Sequence, residues 1–182
     1  MSDQGPIIAV IVARAGSRGV PGKNIALVGG RPCIAWTIDA VQQCPSVSDV
    51  VVTTDDQTAR QLAASMGTQV VDRPAELAGD TARIDDAVRH CIERYELHHG
   101  EVRAVVILYA NVPVRPEGLI ERAVAVFCKS QCDSVQSYSP VGKHHPWWTA
   151  RIGEDLSVGA WEEGAMLNHG VYRRQDLPPA FI

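Results

Sequence analysis

The sequence lacks a long apolar run, a basic leader and a paired set of cysteines. No stretch reaches the ~18 consecutive apolar residues that a membrane-spanning helix needs, and Met1–Pro6 carries no basic residue of the kind that opens a signal peptide. The 5 cysteines are an odd number at wide spacings, which indicates reduced thiols rather than a disulfide framework. We therefore expect a cytoplasmic protein with no membrane partner.

Positive charge is also scarce. The chain has 17 Lys and Arg against 21 Asp and Glu, for a formal net charge of -4. Proteins that bind nucleic acids usually present a basic surface, so we expect no nucleic-acid partner. A length of 182 residues with 46% hydrophobic residues is typical of one globular domain. We therefore expect a single domain over residues 1–182.

Short β-branched runs alternate with stretches of helical periodicity. The runs predict strands at Ile7–Val12, Val47–Thr54, Thr68–Val71, Ala104–Leu108 and Ser134–Ser137. The periodic stretches predict helices at Pro32–Gln43, Asp55–Met66, Ile84–Leu97 and Glu117–Lys129. Such alternation predicts an α/β fold with a doubly wound, mainly parallel, Rossmann-like sheet.

Four loops follow predicted strands and should meet at one edge of the sheet. They are Ala13–Gly30, Thr54–Asp56, Asp72–Asp80 and Tyr109–Arg115. Ligands of open α/β sheets bind beyond the carboxyl ends of the strands, so this edge is the expected site. Asp55 and Asp56 could contact a ligand there or cap the following helix, and the sequence leaves both open.

The first of these loops combines positive charge with evenly spaced glycines. Its glycines are Gly16, Gly19 and Gly22, and its cations are Arg14, Arg18 and Lys23. Glycine lets the backbone turn sharply and approach a ligand closely, and exposed amides in such a loop attract anions. Arginine grips phosphate through two parallel bonds, while Ser17 adds a hydroxyl donor. The loop is therefore predicted to bind a polyphosphate, although a basic surface loop without a ligand remains an alternative.

Two well-known phosphate loops do not fit this segment. A P-loop requires G-x-x-x-x-G-K-[ST], but Ser17 stands at the first glycine position and Asn24 follows Lys23. A dinucleotide fingerprint requires G-x-G-x-x-G, whereas the spacing here is G-x-x-G-x-x-G. Both a P-loop NTPase and a dinucleotide-binding protein are therefore disfavoured.

The segment Arg14–Asn24, RAGSRGVPGKN, resembles the signature loop of the acylneuraminate cytidylyltransferases, the CMP–sialic acid synthetases. Three further stretches resemble this family in register: Thr53–Asp56 (TTDD), Arg73–Asp80 (RPAELAGD) and Arg174–Pro178 (RQDLP). The resemblance implies a nucleotidyltransferase of the nucleotide-diphospho-sugar transferase type. It implies transfer of CMP from CTP to the anomeric hydroxyl of an acidic nine-carbon sugar, with magnesium assisting and pyrophosphate leaving.

The resemblance also implies roles for individual residues. Catalytic roles fall to Arg14, Ser17, Lys23 and Arg115. Nucleotide contacts fall to Ala13, Ala15, Gly16, Arg18, Asn24, Arg73, Asp80 and Ala82, with Asn24 near the ribose and both Arg73 and Ala82 near the cytosine. Acceptor contacts fall to Tyr109, Asn111 and Arg174. The family is commonly dimeric, so a homodimer is expected, with residues 140–174 as a dimerisation or sugar-side extension.

Two departures from the family keep alternatives open. Tyr109 stands where the family has a glutamine, which leaves the identity of the acid sugar undecided. The aspartate-rich segment that holds magnesium in the family has no counterpart up to Ile182, so the metal ligands are not identified. The alternatives are a nucleotidyltransferase for another base or sugar, and a shortened nucleotide-binding protein without turnover.

Overall fold

The computed structural model describes residues 5–16, 19–130, 132–141, 144–155 and 157–182, without the side chain of Arg174. The chain divides into two compact units, Met1–Val135 and Gln136–Ile182. Residues 140–174, predicted to be an extension, fall within the second unit. Within the described ranges, no helix has both the length and the apolar character that crossing a bilayer requires.

The first unit is built on a parallel sheet of four strands. Its strands are β1 (Ile7–Val12), β4 (Asp49–Thr54), β5 (Gln69–Asp72) and β6 (Ala104–Tyr109), and its helices are α1 (Cys33–Gln42), α2 (Gln57–Ser65), α3 (Ile84–His99) and α4 (Leu119–Lys129). The strand order is β5-β4-β1-β6, with every pair parallel. The order reverses between β1 and β6, and such a switch point is where open α/β sheets form a ligand crevice.

Alternate residues of β1 serve two separate cores. Ala9 and Ile11 pack with residues of α1, α2 and α4 on one face of the sheet. Ile8 and Val10 pack with residues of α3 on the other face. All 6 residues of β1 are buried, which explains why this strand is a continuous apolar run. Helices therefore cover both faces, and the predicted doubly wound architecture is confirmed.

A carboxylate fastens α4 to the turn that follows α1. Glu121 accepts hydrogen bonds from the Cys44 thiol, with Sγ to Oε2 at 2.8 Å, and from the Ser46 hydroxyl. These bonds lower the pKa of Glu121. Burial, together with the bond to Glu121, raises the pKa of the Cys44 thiol to about 11. The thiol therefore stays protonated at neutral pH and serves as a donor in this contact.

A small hairpin interrupts the predicted loop Ala13–Gly30. Its strands are β2 (Leu27–Val28) and β3 (Arg31–Pro32), joined through Gly29 and Gly30. Both glycines have positive φ, at 59° and 80°, which a two-residue hairpin turn requires and which other residues rarely adopt. The hairpin was not predicted from the sequence, although a Gly-Gly pair between two short extended segments is a signal for such a turn.

The predicted fifth strand at Ser134–Ser137 is wrong. These residues are exposed and form no ladder, and the sheet ends at β6. The segment holds a single large apolar side chain, Val135, so strand formation there would bury too little surface to offset the cost of ordering.

Among its described residues, the second unit, Gln136–Ile182, contains one antiparallel pair of strands. They are β7 (Ala150–Ile152) and β8 (Val158–Ala160), which sequence periodicity did not predict. His145 is buried there at 4% exposure. Its Nε2 lies 3.1 Å from the carbonyl oxygen of Pro178, and the ring of Trp147 stacks on that of His169 with centroids 5.0 Å apart.

Candidate functional site

The carboxyl ends of the three adjacent strands β4, β1 and β6 lie side by side. Val12 is in register with Thr53 on one side and with Tyr109 on the other. The pairing continues one residue further, since the Ala13 amide donates to the Thr53 carbonyl oxygen at 3.1 Å. The predicted loops therefore leave the sheet at one common edge, as the sequence indicated.

A buried threonine, which the sequence analysis did not single out as a site residue, organises this edge. The Thr54 hydroxyl donates to the carbonyl oxygen of Ala13 at 2.5 Å and accepts from the Asp56 amide at 3.0 Å. Asp56 in turn caps α2, accepting from the amides of Thr58 and Ala59. Thr54 thus ties the exit of β1 to the start of α2.

The neighbouring aspartate holds the glycine-rich loop instead of the helix. Asp55 Oδ1 accepts from the Ala15 amide at 2.8 Å. Of the two roles that the sequence left open, the helix cap belongs to Asp56, while Asp55 fixes the first residues of the loop. This orients the backbone that follows Arg14 towards the common edge.

Asn24 closes the loop at its other end. Its side-chain Nδ2 donates to the carbonyl oxygen of Arg14 at 2.9 Å, and its own carbonyl oxygen accepts from the Ile34 amide at 2.8 Å. The residue is 6% exposed. Gly22 makes the closing turn with φ of 60°, in the left-handed region that favours glycine. The loop is therefore a closed structure anchored at both ends.

Several of the described residues between these anchors are open to solvent, among them Gly16, Gly19 and Lys23. A side-chain atom added at Gly16 or Gly19 would meet no atom of the described residues within 4 Å. Space beside the amides is therefore available to a ligand, and the Lys23 ammonium can reach it from solvent. Ser17 and Arg18, which were predicted to bind phosphate, lie outside the described residues.

Arg14 is held over the loop that follows β5. Its Nη1 lies 2.9 Å from Asp80 Oδ1 and donates to the carbonyl oxygen of Ala78 at 3.2 Å. The predicted site residues Arg14 and Asp80 are thus brought together from positions far apart in sequence. Ala82 lies in the same loop, where its amide donates to the Gly79 carbonyl oxygen at 3.2 Å.

Arg73 is a buried cation directly behind this edge. It is 8% exposed, and its guanidinium contacts the Thr53 carbonyl oxygen at 2.9 Å and the Thr53 hydroxyl at 3.4 Å. Burial lowers the pKa of Arg73, an effect that the carboxylate of Asp55 opposes and the nearby charge of Arg14 reinforces. Arg14 and Arg73 therefore place two positive charges close to each other at this edge.

Arg115 points back into the fold. Its Nη1 donates to the Thr37 hydroxyl at 2.9 Å and to the carbonyl oxygen of Val112, and its Nη2 donates to the carbonyl oxygen of Tyr109 at 2.9 Å. Burial lowers the pKa of Arg115. The guanidinium thus fastens the loop after β6 onto α1 through Thr37, which is fully buried and was not singled out from the sequence.

Two predicted acceptor residues lie on that fastened loop. Tyr109 ends β6 with 47% of its side chain exposed, and Asn111 is exposed two residues later. Both can therefore be reached by a ligand at the edge. Arg174, the third predicted acceptor residue, belongs to the second unit, and its side chain lies outside the described residues.

The described residues do not by themselves form a metal centre. Within those ranges no three His, Cys, Asp or Glu side chains converge as metal ligands do. Two carboxylates beside the loop, Asp55 and Asp80, contact the Ala15 amide and the Arg14 guanidinium.

Comparisons with known proteins agree with this geometry. Solved structures of similar fold include a CMP:2-keto-3-deoxy-manno-octonic acid synthetase complexed with CTP, with a TM-score of 0.58 at 22% identity over 70% of this chain and 49% of that one. A cytidylyltransferase from Leptospira borgpetersenii has a TM-score of 0.55 at 17% identity, covering 70% of this chain and 51% of that one. The first unit therefore has the nucleotide-diphospho-sugar transferase fold.

Sequence comparison assigns the family. The cytidylyltransferase family model matches residues 8–151, and the chain belongs to that family. It is 33% identical to the N-acylneuraminate cytidylyltransferase of Streptococcus agalactiae serotype V, over 96% of this chain and 40% of the relative. It is 34% identical to the CMP-N,N'-diacetyllegionaminic acid synthase of Legionella pneumophila, over 78% of this chain and 61% of the relative. The chain thus spans about 40% of the length of the first of these relatives.

Proposed function

We propose that this chain carries the nucleotide-binding half of a CTP-dependent cytidylyltransferase. The reaction would transfer CMP from CTP to the anomeric hydroxyl of an acidic nine-carbon sugar, N-acetylneuraminate or a relative, and release pyrophosphate. The names of the two relatives above, an N-acylneuraminate cytidylyltransferase and a CMP-N,N'-diacetyllegionaminic acid synthase, support this class of acceptor.

One observation carries the proposal: the glycine-rich loop is fixed at both ends, and described residues between these ends are exposed. Asp55 holds the Ala15 amide and Asn24 holds the Arg14 carbonyl group, while Gly16, Gly19 and Lys23 are exposed. The backbone at the two ends is thus held in fixed positions beside an anion, which reduces the free-energy cost of binding.

The charges at the edge suit a triphosphate. In the proposed reaction the acceptor oxygen bonds to the α-phosphorus as the bond to the β-phosphate breaks, so negative charge grows on the phosphoryl oxygens. Groups that are already in place stabilise such charge most effectively. Lys23 supplies an exposed ammonium, and Arg14 is already held by Asp80. Arg73, whose guanidinium is buried against Thr53, adds positive electrostatic potential at the same edge.

The loop after β6 is proposed to form the acceptor side. Tyr109 offers an aromatic face and a hydroxyl, and Asn111 offers an amide. A phenol cannot both donate and accept in the way that an amide does, so the hydrogen bonding to the sugar would differ from that of a glutamine at this position. The acceptor is therefore best identified by testing several acid sugars.

Magnesium remains part of the proposal, as a companion of the triphosphate. Magnesium usually keeps several waters and is held by one or two carboxylates together with substrate phosphates. The described residues do not complete a site without such phosphates. No step is therefore assigned to the ion here, and it enters the assays as a variable.

The proposal is tested first by nucleotide binding, because the chain spans about 40% of the length of the Streptococcus agalactiae relative. CTP, UTP, ATP and GTP would be titrated calorimetrically against the protein, with and without magnesium. We expect CTP to bind most tightly. Lys23→Ala should weaken CTP binding by about 10- to 100-fold, since a charge-assisted hydrogen bond contributes about 1.5–3 kcal/mol. Lys129→Ala, at an exposed lysine in the last turn of α4, is the matched control and should change little.

Turnover is tested separately by pyrophosphate release from CTP with N-acetylneuraminate or a related acid sugar. Release that depends on Lys23 would support the full proposal. CTP binding without release would favour a nucleotide-binding half that needs further polypeptide for turnover. Preference for another nucleotide would favour the alternative of a nucleotidyltransferase with a different base, and failure of all four nucleotides to bind would refute the proposal.

A homodimer is proposed through the second unit. Several of its large apolar or aromatic side chains are more than half exposed: Tyr138, Ile152, Val158, Trp161, Met166, Tyr172, Phe181 and Ile182. Apolar surface of this kind is typical of a protein interface. Light scattering coupled to size-exclusion chromatography should give twice the mass of one chain, which is 19.7 kDa. A monomer at all concentrations would contradict the proposal.

A further inference from the structure

A polar cavity lies in the first unit between α3 and β5, which is an edge strand of the sheet. Its volume is about 430 Å³. The polar side chains that line it are Gln69, Asp72, His90, Arg94, His98 and His99. None of these residues was among the predicted site residues, and the loop after β1 contributes nothing to its lining.

Helical spacing concentrates the nitrogen groups on one side of α3. His90, Arg94 and His98 recur every four residues, so their side chains form a stripe along one face of the helix. The stripe faces β5, whose outer edge has no partner strand among the described residues. Three side chains that can donate to an anion are therefore aligned along one wall of the cavity.

His99 is fixed as part of that wall. Its Nδ1 lies 3.0 Å from the carbonyl oxygen of Tyr95, which can only accept, so this nitrogen carries a hydrogen. Its Nε2 lies 3.4 Å from the side-chain nitrogen of Gln69 and, in a neutral ring, accepts from it. The ring also stacks on Tyr95, with centroids 4.3 Å apart. Several interactions thus hold the side of the cavity formed by His99 in place.

His90 supplies the observation that indicates a ligand. Its Nδ1 is buried and has no hydrogen-bond partner among the described residues. A buried polar atom without a partner costs about 1–3 kcal/mol, and in native proteins such atoms are usually satisfied by a bound water or ion. One of the histidines that line the cavity therefore has an unsatisfied ring nitrogen.

The charges around the cavity favour an anion. Among the described residues that line the cavity, Arg94 is the one permanent cation and Asp72 the one carboxylate, and Asp72 forms an ion pair with Arg60. The hydroxyl of Tyr95 donates to Asp49 at 2.6 Å. Burial, aided by that bond, raises the pKa of Tyr95 to about 12, so the phenol stays neutral and does not repel an anion. Convergent metal ligands are not found among the described residues, which argues against a cation.

We propose that this cavity is a second anion site, which binds an oxyanion of the phosphate class through Arg94 and the imidazoles of His90 and His98. The shared chemistry is a tetrahedral phosphate, either free or at the end of a diphosphate. The site is built from α3 and β5 alone, so it does not depend on the proposed cytidylyltransferase activity.

The test follows the imidazole resonances of the chain in a chloride buffer free of phosphate. Inorganic phosphate and, separately, pyrophosphate would be titrated at constant ionic strength. The three cavity histidines should shift along saturating curves with an affinity in the millimolar range, about -4 kcal/mol. The other three histidines, His144, His145 and His169, should not follow these curves. Tighter binding of pyrophosphate than of phosphate would identify a diphosphate as the preferred form.

Arg94→Gln is the deciding variant. It removes the charge while keeping a side chain of similar length at an exposed position, so the fold should be retained. We expect at least a tenfold loss of phosphate affinity, since a hydrogen bond to a charged group is worth about 1.5–3 kcal/mol. Arg89→Gln, also exposed on α3 but not on the cavity lining, should bind as the parent does. Linear shifts without saturation, or equal affinity in the two variants, would overturn the proposal.

Discussion

The contact between Thr37 and Arg115 fixes the loop after β6 and can be measured without any substrate. Thr37 is fully buried, and its hydroxyl accepts from Arg115 Nη1 at 2.9 Å. Thr37→Val keeps the shape of the side chain and removes this acceptor. A hydrogen bond to a charged group contributes about 1.5–3 kcal/mol. Because Arg115 is half-buried, we take the lower end and expect the free energy of unfolding to fall by about 1.5 kcal/mol.

Arg115→Ala should cost more, because it also removes the bonds to the carbonyl oxygens of Tyr109 and Val112. We expect a loss of about 4.5 kcal/mol, from three hydrogen bonds to a charged group at about 1.5 kcal/mol each. If the two residues act through their shared bond, the double variant should lose about 4.5 kcal/mol rather than about 6 kcal/mol, the sum of the single losses. The coupling energy is therefore expected to be about 1.5 kcal/mol.

The assay is urea unfolding followed by far-ultraviolet circular dichroism. With an m-value of about 2 kcal/mol/M, Thr37→Val should lower the unfolding midpoint by about 0.75 M. Thr58→Val, at an exposed threonine in the first turn of α2, is the matched control and should stay within about 0.5 kcal/mol of the parent. Strictly additive losses in the double variant would refute the argument that Arg115 holds the loop through Thr37.

Three further predictions follow from buried or paired groups. A thiol reagent at neutral pH should label Cys128 and Cys132 first, since these two are exposed and the other cysteines are buried; mass spectrometry showing equal labelling of all five would contradict this. Glu121 has a lowered pKa in the folded state, so its stabilising effect is present above its ordinary pKa and is lost as the pH falls through the lowered value. Glu121→Gln should therefore flatten the acid dependence of the unfolding free energy, whereas Glu93→Gln should not, and identical acid profiles would count against the contact. Thr54→Val should cost about 2–4 kcal/mol, because the buried Ala13 carbonyl group and the partly buried Asp56 amide both lose their partner, and a loss below about 1 kcal/mol would refute its role at the edge.

The sheet was the part of the fold most readily predicted from sequence. Ile7–Val12 is buried on both faces, and such a strand must be a continuous apolar run whatever its neighbours are. The common edge of the loops followed from the parallel order alone. Ser134–Ser137 was predicted wrongly because four residues with one large apolar side chain do not determine whether a neighbouring strand is available.

The glycine-rich loop could be recognised in the sequence, but its anchors could not. The spacing of Gly16, Gly19 and Gly22 predicted an anion-binding loop, and anion binding stays a prediction; Gly22 has the positive φ that a sharp turn requires. The partners of that loop lie far along the chain. Asp55 holds Ala15 across 40 positions, and no local pattern reports such a contact. Side-chain pairings of this kind depend on the packed structure, so they emerge only once the sheet order is known.

The most direct test of the account is a crystal structure of the protein with CTP. The account predicts the triphosphate beside the exposed tip of the loop, with phosphate oxygens about 2.7–3.2 Å from its backbone amides and the Lys23 ammonium within reach. It also predicts that the bonds from Asp55 to Ala15 and from Asn24 to Arg14 persist in the complex. A nucleotide bound elsewhere, with the loop tip in contact with solvent alone, would contradict the account.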